Sequence, residues 1–86
     1  MAEKKLDKGS TEWQFFQDFW RLRQKYYDPD NEPDEWFDEV TKAASKIAEK
    51  YKNTEFSKFA GDLVYAHLSD LDRKHRERKD GEEKNE

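Results

Sequence analysis

Three stretches of the chain place apolar side chains at helical rather than alternating spacing. In the first, Phe15, Phe19, Leu22 and Tyr26 form one stripe, and Trp13, Phe16, Trp20 and Tyr27 form a second beside it. Together they cover about half the helix circumference, more than the roughly 100° of an ordinary surface helix. The spacing predicts a helix over about residues 12–27, with Thr11 as its cap and Gln14 completing a T-x-x-Q capping box. It stops at Asp28-Pro29, because the residue before proline avoids the α region.

The second stretch, about residues 33–52, puts Trp36, Phe37, Val40, Ala43, Ala44, Ile47, Ala48 and Tyr51 on one face. Asn31 or Glu32 is expected as its cap, with Pro33 in the first turn. Asp34, Glu35, Asp38 and Glu39 come early and Lys42, Lys46, Lys50 and Lys52 come late, in accord with the helix dipole. After a turn at Asn53-Thr54, the third stretch, about residues 55–78, aligns Phe56, Phe59, Ala60, Leu63, Val64, His67 and Leu71. Tyr65 lies opposite that stripe. No segment alternates as a strand would. Short connections make consecutive helices antiparallel neighbours, so the expected fold is an all-α, single-domain, up-down-up three-helix bundle. Its core should hold Phe15, Phe19, Leu22, Val40, Ala44, Ile47, Phe59, Leu63 and Val64. Residues 1–9 and 80–86 read as disordered polar tails around a helical domain spanning 10–79.

Composition sharpens this picture. Of 86 residues, 44% are charged and only 33% hydrophobic, a balance that would suggest disorder if the apolar groups were small and scattered. Instead 15% of the chain is aromatic, and large rings bury much area each. The absence of cysteine excludes disulfides and thiolate zinc sites. Met1–Ser10 carries five charges and no apolar run, unlike a signal peptide, and no stretch reaches the roughly 20 apolar residues of a membrane span. A cytoplasmic protein without a membrane partner is expected. The net charge of −4 gives no bulk attraction to nucleic acid.

Candidate chemistry is sparse. Asp28, Asp30, Glu32 and Glu39 stand at positions 1, 3, 5 and 12 of an EF-hand-like count, but Pro33 occupies the position where that loop needs glycine. Turn residues and acids at a helix start explain the same pattern, so no metal is expected. His67 sits among Leu63, Val64 and Leu71 with Asp70 three residues on, which reads as a partly buried histidine bonded to a neighbour. No thiol, phosphate loop or nucleophile–base pair is evident, so no enzyme activity and no cofactor are expected.

Two surfaces remain. The basic block Arg73, Lys74, Arg76, Arg78 and Lys79 is the alternative expectation, an accessory nucleic-acid contact. Cations also suit a helix C-terminus, acids interrupt the block, and no aromatic is interleaved for base stacking. A helix-turn-helix reading of the second and third helices fails on its recognition helix, which opens with Glu55 and carries only Lys58 early. The leading expectation is a protein-interaction module, docking on another protein or its own copy. Two aromatic stripes on one helix are what a three-helix bundle needs for two seams. Yet Arg23 breaks the second stripe, and Gln17 and Gln24 border it. Trp13, Trp20 and Tyr27 are therefore the candidate anchors.

The strings EWQFFQDFWRLRQKYY, DPDNEPDEW and EFSKFAGDLVYAHLSDLDRKHR resemble small uncharacterised proteins encoded in mobile elements of Gram-positive gut bacteria, over about residues 12–78. The resemblance implies a bacterial, cytoplasmic origin and carries no activity or functional residue with it.

Overall fold

The computed structural model describes the backbone of residues 3–84 and side chains as far as Glu77. It is a three-helix bundle of α1 (Thr11–Lys25), α2 (Asp34–Lys50) and α3 (Ser57–Lys84), with no strand among the described residues. Side-chain pairs fix the directions. Asp18 meets Lys50 and Tyr26 meets Trp36, so α1 and α2 are antiparallel. Tyr51 meets Phe56 and Phe37 meets His75, so α2 and α3 are antiparallel. Phe16 meets Phe59 and Arg23 meets Asp70, so α1 and α3 run the same way.

The helix ends differ from the sequence expectation for local reasons. Ser10, not Thr11, caps α1: its Oγ accepts the Trp13 N–H at 3.2 Å. A box is then impossible, because the residue three beyond the cap is Trp13 rather than Gln14. A turn from Asp7 to Ser10 delivers the cap, closed by the Ser10 N–H on the Asp7 carbonyl at 3.1 Å, with Gly9 supplying a φ of +90°. α1 ends at Lys25, and the Tyr26 N–H still reaches the Leu22 carbonyl. Pro33 is the N-cap of α2 rather than part of its first turn, with no side-chain cap. Asn31 instead takes the left-handed conformation at φ 59° that lets the chain reverse, while Asp28 Oδ1 accepts the Asp30 N–H. α2 stops at Lys50, with Tyr51 as its C-cap. Thr54 donates its hydroxyl to the Tyr51 carbonyl, and α3 starts at Ser57 rather than Glu55. α3 continues past the expected end at Arg78 to Lys84. Of the expected tails, residues 1–2 and 85–86 lie outside the described residues.

The core is Phe15, Leu22, Tyr26, Val40, Ala44, Tyr51, Ala60, Val64 and Leu71, with His67 buried among them. At one end Phe15 meets the Tyr51 ring edge-on at 5.4 Å and Phe56 at 5.9 Å. At the other, Tyr26 meets Trp36 edge-on at 5.7 Å, and Phe37 meets Trp36 at 5.0 Å and His75 at 5.2 Å. Phe19, Ile47 and Leu63 pack against this core only partly buried. Phe59, expected inside, is 47% exposed. The buried stripe of α3 runs through Ala60, Val64, His67 and Leu71, and Phe59 falls on its edge toward α1. The seams differ accordingly. α2 and α3 pack most extensively, with Ala44 and Ala60 buried in the core, whereas α1 and α3 touch least, Phe16 and Phe59 meeting across their seam.

Candidate docking surface

The open α1–α3 seam is a groove of about 810 Å³. Trp13, Phe16, Phe19 and Trp20 line it from α1, and Phe59 and Leu63 from α3. Gln17, Arg21 and Gln24 give it a polar edge on α1. Phe16 and Phe59 meet edge-on across it at 6.1 Å. Trp20 is 61% exposed, and Phe16 is also exposed. Trp13 is half-buried. The second aromatic stripe of α1 thus lies at the surface, while Phe15, Leu22 and Tyr26 hold the bundle together.

Trp13 and Trp20 come together in this groove; Tyr27 does not join them. Tyr27 is 54% exposed but carries cations: the Lys74 ammonium lies 3.7 Å from its ring centroid and the Arg23 guanidinium 4.7 Å. Lys74 also donates to the Tyr27 carbonyl at 3.1 Å. The sequence reading missed Phe59 as a surface residue. Its signal was present, since Phe59 and Ala60 are adjacent and only one of them can face the axis of the bundle.

Arg23 is the hub of a part-buried polar network that joins α1 to α3. Its Nη1 donates to Asp70 Oδ2 at 2.6 Å and to His67 Nδ1 at 3.1 Å. Guanidinium only donates, so His67 Nδ1 accepts and the ring proton sits on Nε2. Nε2 is buried without a hydrogen-bond partner. Burial, then the neighbouring Arg23 charge, pushes the His67 pKa below its ordinary 6.5; Asp70 pulls it up, and Lys74 adds a smaller downward push. The Arg23 hydrogen bond holds the Asp70 carboxyl far below its ordinary 3.8; Arg73 and Lys74 add to this, and burial opposes it. A histidine whose one free lone pair already holds a guanidinium proton is not placed to act as a base.

A second network ties α1 to the end of α2. Asp18 accepts the Tyr51 hydroxyl at 2.6 Å and the Lys50 ammonium at 2.8 Å. Burial pushes the Asp18 carboxyl up, but these two bonds together hold it below its ordinary value.

The basic block is largely engaged. Arg73 pairs with Asp70 and Glu77, Lys74 with Asp70, and Arg76 with Asp72 at 3.2 Å. The side chains of Arg78 and Lys79 lie outside the described residues. Among the described residues, no three His, Asp or Glu side chains converge as a metal site, and no helix is long and apolar enough to cross a membrane. No protein-family model, curated protein or solved structure matches the chain.

Proposed function

We propose that this protein is a non-enzymatic interaction module, cytoplasmic and of bacterial mobile-element origin, that docks a protein partner in the aromatic groove between α1 and α3. One observation carries the reading: Phe16, Trp20 and Phe59 stay exposed around a single apolar groove in a chain whose other surface is dense with charge. Exposed aromatics rimmed by glutamine and arginine have the composition of an interface core with a polar edge. Trp13 and Trp20 are the proposed anchors within it. Tyr27, whose ring carries the Arg23 and Lys74 cations, lies outside the groove and is not among its anchors.

The test compares the wild-type chain with Trp20→Ala as immobilised bait in a host lysate. Circular dichroism should show the variant folded, while the proteins retained by wild type are lost. The reading fails if the variant retains the same proteins, or if it is unfolded at room temperature.

A further inference from the structure

A second groove lies on a different face of the molecule. Between α1 and α2 lies a groove of about 360 Å³ floored by Leu22 and Ile47. Its rims carry Arg21 and Lys25 on α1, and Lys46 and Lys50 on α2. The one acid there, Asp18, is already held by Lys50 and the Tyr51 hydroxyl. The groove is therefore cationic in a chain of net charge −4. The complementary surface is on the same helix. Glu35 and Glu39, one turn apart at the N-terminal half of α2, are exposed and continue the stripe that Lys42, Lys46 and Lys50 complete. Among the described residues, Glu35, Glu39 and Lys46 form no ion pair.

This order of charges is self-complementary. Place a two-fold axis between Lys42 and Ala43, across two antiparallel α2 helices. Glu39 of each copy then stands opposite Lys46 of the other, and Glu35 opposite Lys50, because each pair is equidistant from the axis. Ala43, half-buried beside the axis, has no side chain to hold the helices apart. A register displaced by three residues sets Lys42 against Lys46 and Glu39 against Glu49, so like charges disfavour it. We infer that the protein forms a two-fold dimer in which the acidic half of each α2 lies along the cationic α1–α2 groove of the other copy, leaving both α1–α3 aromatic grooves free. The contact is one helix and a rim, at the small end of specific interfaces, so association should fall in the micromolar range and weaken with salt.

Sedimentation equilibrium of the full chain across micromolar concentrations reads this directly. At about 50 mM salt a dimer is expected, and at about 500 mM mostly monomer. Glu39→Lys and Lys46→Glu should each raise the dimer dissociation constant roughly tenfold or more, since the symmetry makes every substitution count twice. The double variant Glu39→Lys/Lys46→Glu should restore dimerisation. These residues are seven apart on one helix and do not touch within the chain, so rescue reports contact between copies and not repair of the fold. Circular dichroism confirms that each variant is helical. Trp20→Ala should dimerise as wild type does. A wild-type monomer at every concentration at low salt overturns the inference. So does a double variant no better than the single ones, or a dimer abolished by Trp20→Ala, which would place the contact in the aromatic groove instead.

Discussion

His67 shows how one buried side chain sets the acid limit of the fold. Its Nδ1 accepts from Arg23, so it is bound as the neutral ring, and its burial lowers the folded pKa below the ordinary 6.5. A depressed histidine binds fewer protons folded than unfolded. Its stabilisation is therefore complete above pH 6.5 and is lost as the pH falls toward the folded value. Asp70 and Asp18, also depressed, hold their contribution down to about their ordinary 3.8 and lose it below. Thermal melts should thus fall in two stages on acidification. His67→Leu should remove the first stage, leaving the midpoint nearly flat between pH 7 and pH 5, while Arg23 keeps Asp70. It should not destabilise the protein at neutral pH, because it also removes the unpartnered buried Nε2. Wild-type-like acid sensitivity in His67→Leu would contradict this account. Much of the network was legible: the sequence placed His67 among apolar neighbours beside Asp70, and it showed Arg23 interrupting the second aromatic stripe of α1. What was not legible was that these were the same network, since Arg23 and His67 are brought together only by the parallel packing of α1 on α3.

At the scale of the elements, the three helices and their order followed from the spacing of apolar side chains, and their ends did not. Periodicity marks a buried face but is blind to which of two adjacent hydroxyls caps it. Ser10 wins over Thr11 because the Asp7–Ser10 turn, opened by Gly9, presents Ser10 to the first free N–H groups. Ser10→Ala should accordingly cost about 1 kcal/mol in denaturant melts, and Thr11→Ala a few tenths at most. Equal costs would return the cap to Thr11. The same limit explains Phe59. Hydrophobicity favoured the larger of two neighbours for the core, but the extensive α2–α3 seam accepts Ala60 and turns Phe59 outward. Steric fit at a helix crossing decides such cases, and it depends on side chains distant in sequence.

For the whole molecule, the decisive fact is how its aromatic rings divide between holding the fold and facing solvent. Phe15 is fully buried and meets Phe19, Tyr51 and Phe56, so it ties α1 to the connection between α2 and α3. Phe15→Ala should cost about 3–5 kcal/mol. A domain of this length has only about 4–13 kcal/mol in total, so that variant should be largely melted in mild denaturant or at modest temperature. Trp20, on the same helix, is 61% exposed and belongs to the groove between α1 and α3. Its truncation should cost less, about 1–2 kcal/mol, since more than half of its area stays in water in the folded chain. Intrinsic fluorescence gives an independent reading of the same division. Of the three tryptophans, Trp13 and Trp36 are half-buried and Trp20 is the most exposed. Trp20→Phe should therefore shift the emission of the folded protein to the blue and reduce its quenching by iodide, with the melting midpoint nearly unchanged. An unshifted spectrum would mean that Trp20 is shielded in the free protein, by the bundle or by a second copy, and sedimentation at the same concentration separates those two cases. A blue shift together with a stable fold would leave the ring without structural work in the monomer, and its exposure in so charged a chain would then be accounted for by what docks on it.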